Sequence, residues 1–400
     1  MRIDKVPLFG SALGLTALLL PFAAIKPNRI AEGRSLGFFA MSVEEGGAVS
    51  GSVAVGLLVA AVFSVFFISL FFSRLRSGYV YGFAGMLILA LLFDVLVGTE
   101  ASVSTLPHGR VTPSSGFWLS LLSVFFVIDS ALREGRVEKW FSLFLKSAPL
   151  LLIIYLLFSG SLDHLAIMKE FFNREARFLT ELYSHIALSA VAVAAAMIIG
   201  VPLGVSAWRK KRMERSIFSL VNGIQTIPSL ALFGLMIAPL ALLSQAFPVL
   251  RSWGIKGIGN TPALIALTLY SLLPIVRNTY TGLAMIPEGI IDAGTGLGMS
   301  KRHVLRYIEI PLAVPVVLGG IRVSAVITVG NTAVAALIGA GGLGNFVFQG
   351  LGQAAPDLIL MGVLPIILLA VLADRGFGLL VSALSPPGFG IVEQQEEEAR

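Results

Sequence analysis

The chain has no cysteine among its 400 residues, which excludes disulfides, thiolate metal sites and cysteine nucleophiles. The four histidines, His108, His164, His185 and His303, show no metal-ligand spacing. Charge is scarce: Asp, Glu, Lys and Arg make up 13% of the residues, about half the share of an average soluble domain. The net charge of +6 is spread over the flanks of apolar segments and forms no continuous basic stripe, which argues against nucleic acid. No Gly-x-x-x-x-Gly-Lys-Ser/Thr run is present to cradle a nucleotide phosphate. No acidic residue sits clearly in the middle of an apolar run, where a proton-coupled carrier would place one. Asp94, Asp129 and Asp374 fall near the ends of their runs, and Arg322 lies just inside one, within snorkelling reach of water. Neither a pair of acids nor a Ser with a nearby His or Lys lies at that depth, so an intramembrane enzyme has no catalytic group to use.

What the chain has in abundance is apolar length. Hydrophobic residues make up 56% of it, with a mean hydropathy of +0.88. Runs such as Val53 to Phe72 reach the roughly 20 apolar residues that cross a bilayer core as a helix. Ten candidate spans follow: 7–25, 53–73, 79–97, 116–132, 147–160, 184–208, 217–243, 262–282, 313–338 and 357–376. The expectation is an all-α polytopic membrane protein with about ten transmembrane helices.

Placing the N-terminus in the cytoplasm puts 18 Lys and Arg on the cytoplasmic side and 9 on the other, leaving out Arg322 and Arg400. The cluster WRKKRMER, Trp208 to Arg215, is the strongest contributor. Both termini are then expected to be cytoplasmic. The opening MRIDK and its apolar run also resemble a signal peptide, but the run is long and no clean cleavage site follows, which favours a retained helix.

Four regions are expected: a multi-span region of about five helices over 1–161, an amphipathic interfacial or extracytoplasmic linker over 162–181, a membrane core over 182–380 and an acidic cytoplasmic tail over 381–400. The first region offers no motif that reveals its task. The specific signals all come after it.

The segment Asp292–Pro311, DAGTGLGMSKRHVLRYIEIP, interrupts the apolar chain with glycines and basic residues. Glycine costs roughly 1 kcal/mol in a helix interior, so one reading is a loop with no special task. The other is a short helix for docking. Pro287 suits its first turn, Asp292 suits its positive end, glycine permits close backbone approach, and Met299, Val304 and Leu305 supply apolar knobs. In IQTIPSLA, the polar residues Asn222, Gln225, Thr226 and Ser229 flank Pro228 inside an apolar run. Two readings stand: a kinked helix lining a translocation pathway, or a helix–helix contact held by interhelical hydrogen bonds. GAGGLG, with Gly339, Gly341, Gly342 and Gly344, matches a dinucleotide fingerprint. That fingerprint requires a soluble βαβ unit, so a tight turn on the non-cytoplasmic side is the better reading. Phe233, Tyr270 and Tyr280 are aromatics suited to a quaternary ammonium, although aromatics in spans more commonly face lipid or core.

The residues Asp292-Ala293-Gly294, Gly298 six positions after Asp292, and Ile308-Glu309-Ile310-Pro311 resemble the EAA loop of binding-protein-dependent ABC importer permeases. Asp replaces Glu, Gly replaces the second Ala, and Ile310 replaces Leu, while the glycine and proline positions match. The resemblance covers about residues 180–380. Ser184 to Val205, Ile224 to Gly234, Leu269 to Leu283 and Ala336 to Leu351 are similar to the osmoprotectant branch, which imports glycine betaine, choline, carnitine or related quaternary amines.

That resemblance implies a C-terminal type I permease core with a cytoplasmic coupling helix formed by Asp292, Ala293, Gly294, Gly298, Met299, Ile308 and Pro311. It also implies several partners: a separate ABC ATPase docking on 287–306, an extracytoplasmic substrate-binding protein, and a second permease copy or paralogue. The chain itself is expected to bind no cofactor or metal and to catalyse no reaction, because ATP is used by the partner. The expected location is the inner, cytoplasmic membrane. Alternatives are a permease for another small solute such as an amino acid, or a sodium-coupled secondary carrier. The latter predicts inverted repeats, and the two halves of this chain look dissimilar.

Overall fold

The computed structural model describes residues 5–27, 33–37, 59–60, 62–63, 78–103, 108–133 and 137–385. It divides into two compact units, Met1–Asn173 and Arg174–Arg400.

In the first unit, helix α1 (Lys5–Ala17) leads into strand β1 (Pro21–Lys26), followed by strand β2 (Arg34–Gly37) and helix α2 (Gly78–Val103). Strand β3 (Arg110–Pro113) then precedes helices α3 (Ser115–Arg133), α4 (Lys139–Phe158) and α5 (Ala166–Asn173). The strands form an antiparallel sheet of order β2-β1-β3, with Ala24 opposite Ser35 on one side and Thr112 on the other. Phe22 of β1 is buried edge-on against Phe117 of α3 at 5.4 Å between ring centroids. A buried ion pair of 2.9 Å joins Arg110 of β3 to Glu170 of α5.

The second unit begins with helix α6 (Glu175–Arg209), 35 residues long, followed by α7 (Lys211–Thr226), α8 (Ser229–Ala246) and the single turn α9 (Pro248–Ser252). Then come α10 (Asn260–Ala284), the short α11 (Glu288–Gly296) and the long α12 (Lys301–Ile338), which passes through one π-helical turn at Leu305–Glu309. Helices α13 (Gly344–Gly352) and α14 (Pro356–Leu384) close the unit.

Helix α10 is the axis of this unit, and glycines let its neighbours close on it. A Cβ at Gly204 of α6 would lie 2.5 Å from Thr279 Cβ, and one at Gly320 of α12 would lie 2.7 Å from the Pro274 carbonyl oxygen. Without a hydrophobic drive between helices in lipid, such small-residue grooves supply the contact area. Hydroxyls add direct bonds: Ser271 to Thr328 at 2.6 Å and Ser189 to Thr332 at 2.9 Å tie α12 to α10 and α6. Enclosure by protein accounts for the polar residues that α10 tolerates.

The chain is a mostly helical, polytopic membrane protein. Among the described residues, 7 helices are long and apolar enough to cross a membrane, so the expected ten are not reached. Two departures, and one candidate outside the described residues, account for the difference. Candidate 7–25 ends as a helix at Ala17, after 13 residues; of its remaining apolar residues, Phe22 and Ala23 are buried in β1 while Leu19 and Leu20 are exposed before it. Candidate 217–243 still supplies one span, α8, but divides into two helices, because the backbone is extended at Ile227 and Pro228 caps α8. Helix α10 is long enough but too polar to qualify. Candidate 53–73 lies almost entirely outside the described residues, as does most of the acidic tail, and α14 itself extends to Leu384. The stretch 162–181 is no single helix: it breaks at Arg174, where α6 takes over. Asp374 lies ten residues before the end of α14, where a two-point ion pair with Arg322 (2.6 and 2.7 Å) compensates its charge.

Candidate functional site

The glycine-rich interruption at 287–311 folds into the short helix α11, a tight turn and the first turns of α12. Pro287 caps α11 and Glu288 lies in its first turn, where negative charge opposes the helix dipole. The helix ends in a Schellman closure: the Gly298 amide donates to the Thr295 carbonyl at 2.9 Å and the Met299 amide to the Gly294 carbonyl at 3.2 Å. Gly298 takes the left-handed conformation this closure requires, at φ +83°. Ser300 then caps α12, its hydroxyl accepting from the His303 amide at 3.4 Å.

The loop has an inner and an outer face. On the inner face, a Cβ at Gly294 would lie 2.7 Å from Ile308 Cδ1 and 3.5 Å from Met299 Sδ, so three of the sequence-singled residues meet there. Val304 is buried on the same side. The outer face carries Ile290, Ala293 and Leu297, spaced i, i+3, i+7, with Leu297 85% exposed. Asp292 is exposed too, and Cβ atoms at Gly289 and Gly296 would meet nothing within 4 Å. Pro311 lies where α12 leaves its π-helical turn, in which the Ile310 amide reaches back to the Leu305 carbonyl. Sequence reasoning named Met299, Val304 and Leu305 as the apolar knobs. The outermost are Ile290 and Leu297, a spacing already legible in the sequence.

At its base the loop is anchored by an apolar cluster. Leu283, Ile286 and Ala313 are buried there, with Trp208 of α6 and Ile291 of α11 packed against them. This connects α11 to the ends of α6, α10 and α12 together.

The polar group at the α7–α8 break divides between two tasks. Gln225 Nε2 donates to the Tyr270 carbonyl at 3.0 Å, and the Tyr270 hydroxyl donates to the Ile227 carbonyl that the break exposes. These are interhelical bonds to α10. Asn222, Thr226 and Pro228 are exposed on the surface of the unit, and Ser229 is half-buried. Tyr270, considered in sequence as a cation-binding aromatic, thus satisfies backbone with its hydroxyl. Phe233 is fully buried, and the Tyr280 hydroxyl bonds Glu214 at 3.1 Å.

At the opposite end of α12, Gly339, Gly341 and Gly342 all adopt positive φ, and Gly344 opens α13. The turn is held from two sides. The Gly259 amide donates to the Ile338 carbonyl at 2.8 Å. Glu181 of α6 accepts from the Gly342 amide and from Asn345 Nδ2, each at 2.7 Å. Sequence reasoning missed Glu181, because nothing local marks a partner 161 residues away.

The family described as "Binding-protein-dependent transport system inner membrane component" matches residues 196–386, and "ABC transporter permease YehY, N-terminal domain" matches residues 4–168. Among curated relatives, the osmoprotectant import permease protein OsmW of Salmonella typhimurium is 44% identical over 206 residues, 52% of this chain and 91% of that protein. The glycine betaine/carnitine/choline permease protein OpuCD of Bacillus subtilis is 41% identical over 209 residues, covering 52% and 84% respectively. A solved chain of the MetNI methionine ABC transporter is 22% identical, with a TM-score of 0.47 over 54% of this chain and 99% of that one.

Proposed function

The chain belongs to the binding-protein-dependent transport system inner membrane component family, and from that premise we propose that it is the permease subunit of an ABC importer for osmoprotectants. Glycine betaine, choline, carnitine or a related quaternary amine is the substrate class, as in the relatives' names. The observation that carries this reading is the loop at 287–311: a rigid short helix with an apolar outer stripe, anchored to three long helices of the core.

In this reading a separate ATPase receives Ile290, Ala293 and Leu297 in a groove, and nucleotide is bound and used there. Closure of the ATPase pair moves α11 as a lever. Its anchoring against Leu283, Ile286, Ala313 and Trp208 passes the motion to α6, α10 and α12. A soluble binding protein delivers substrate at the other end, beside the turn at 339–344. A second permease copy or paralogue completes the pathway, with the exposed Asn222 and Thr226 facing it. The protein lies in the cytoplasmic membrane with both termini inside.

The test is uptake of labelled betaine, choline and carnitine by a transport-deficient host supplied with the cognate ATPase and binding protein. Uptake of at least one, abolished by Gly298→Asp with membrane insertion intact and the ATPase no longer co-purifying, is the expected result. Uptake of none by the wild type overturns the substrate class. Undiminished uptake by the variant overturns the docking role.

A further inference from the structure

We infer that Glu181 is a positioning residue of the extracytoplasmic gate: it fastens the 339–344 turn to the head of α6 so that the two move as one piece throughout transport. This rests on reading that turn as the extracytoplasmic end of the pathway.

One carboxylate serves both donors, Oε2 taking the Gly342 amide and Oε1 the Asn345 side chain, at 2.7 Å each. Charge-assisted bonds of this kind are about twice as strong as neutral ones. The placement is favourable in another respect, because Asn345 lies in the first turn of α13, where a negative charge meets the positive end of a helix. The glycines make room for it. A Cβ at Gly341 would lie 3.3 Å from Glu181 Oε2, and one at Gly342 would lie 3.2 Å from His185 Nδ1, one turn further along α6.

Around the carboxylate, the same two elements are joined again. Arg177 lies one turn before Glu181, 3.7 Å from its Oε1, and its guanidinium stands 5.5 Å from the Phe346 ring centroid. Arg174 and Arg177 both reach Gln349 Oε1 at 3.4 Å, and Phe178 stacks on Phe346. His185 Nε2 meets the Val329 carbonyl at 3.0 Å, extending the attachment into α12. Apart from the Arg177–Glu181 pair within α6, these contacts join α6 or its N-cap Arg174 to α12 or α13. Glu181 alone among them bonds the turn's own backbone.

The native chain has no cysteine, so a covalent replacement for the attachment is straightforward to install. The experiment compares Glu181→Ala, Glu181→Gln and the double variant Glu181→Cys, Asn345→Cys in the assembled transporter, the last with and without a short bis-thiosulfonate cross-linker. For Glu181→Ala, amides of 341–345 should exchange about tenfold faster or more. Maximal uptake should fall by a similar factor while the half-saturating substrate concentration and ATPase co-purification stay unchanged. Glu181→Gln, which keeps one acceptor, should fall between. The uncross-linked double variant should behave like Glu181→Ala, and cross-linking should restore uptake to within about twofold of wild type. Wild-type exchange or uptake in both Glu181→Ala and Glu181→Gln overturns the assignment. So does a cross-linked protein that is inactive until reduced, because the attachment would then have to open. If the wild type transports no quaternary amine, the substrate reading fails while the exchange experiment still decides the role of Glu181.

Discussion

The second unit uses glycine in opposite ways at its two glycine-rich interruptions. At 339–344 three of the four glycines face inward, Gly339 being the exception: Gly341 and Gly342 lie against α6, and Gly344 lies so close to α12 that a Cβ would land on the Ala333 carbonyl oxygen. At 288–298 the assignment is mixed. Gly294 is buried under Ile308 and Gly298 closes the helix, but Gly289 and Gly296 face open space. A turn with three of its four glycines packed against its own chain is built to be held. A helix with open glycines beside Ile290 and Leu297 is built to be met by something else. The α7–α8 break is a third case, in which the Tyr270 side chain of α10 satisfies the interrupted backbone at Ile227 and Gln225 of α7 bonds the α10 backbone in return.

The hardest way to break this contrast is to put a side chain at Gly344. Gly344→Val should cost about 3 kcal/mol or more of stability, because backbone rather than a flexible side chain must give way. The outcome expected in detergent is loss of the monodisperse folded protein. A variant that melts like the wild type would show that the turn is not held as described. The next effect belongs to the other end. Leu297→Asp removes the exposed apolar side chain that caps α11 and should weaken ATPase association about thirtyfold, the scale of an interface hot spot, without shifting the melting temperature. An equal loss of thermal stability would mean that Leu297 serves the fold. At the break, Tyr270→Phe should destabilise the unit by about 1 kcal/mol through the abandoned Ile227 carbonyl, read as a lower melting temperature with ATPase association unchanged.

How much of this was legible in advance varies with the distance between partners. Helices α2, α3, α6, α12 and α14 declare themselves, because an apolar run of sufficient length has few other uses in a charge-poor chain. β1 did not, because PFAAI reads the same whether its apolar groups face lipid or a sheet core. Pro228 signalled an interruption, but a kinked helix and two separate helices have the same local composition. In the loop, the Asp292–Pro311 pattern located the segment, and Gly298 was recognisable as a place where the chain must turn. Which glycine is buried was not readable: that depends on Ile308, fourteen residues after Gly294, folding back over it. Glu181 is the extreme case, a single acid in an amphipathic stretch whose partners lie near the far end of the chain. The hydroxyls of Ser324, Thr328 and Thr332 recur every four residues. That period was present in the sequence and marks the face of α12 turned to its neighbours.

The smallest effect sharpens the contrast most, because its two consequences have opposite signs. Gly296→Ala adds one methyl group where nothing lies within 4 Å, in the last turn of α11. Alanine costs less backbone entropy than glycine in a helix, so the isolated permease should gain up to about 1 kcal/mol. If Gly296 is open because the ATPase approaches the backbone there, the same methyl group should weaken association, by about threefold to tenfold for a modest clash. Gly294→Ala provides the internal comparison. There the methyl group meets Ile308 Cδ1 at 2.7 Å, so the cost should appear in the melting temperature of the permease alone. Melting curves and ATPase pull-down on the two variants therefore separate a glycine kept for the fold from one kept for a partner. A Gly296→Ala protein that is stabilised and still binds the ATPase as tightly as wild type would leave the open face without a close-approach role, and docking would then rest on Ile290 and Leu297.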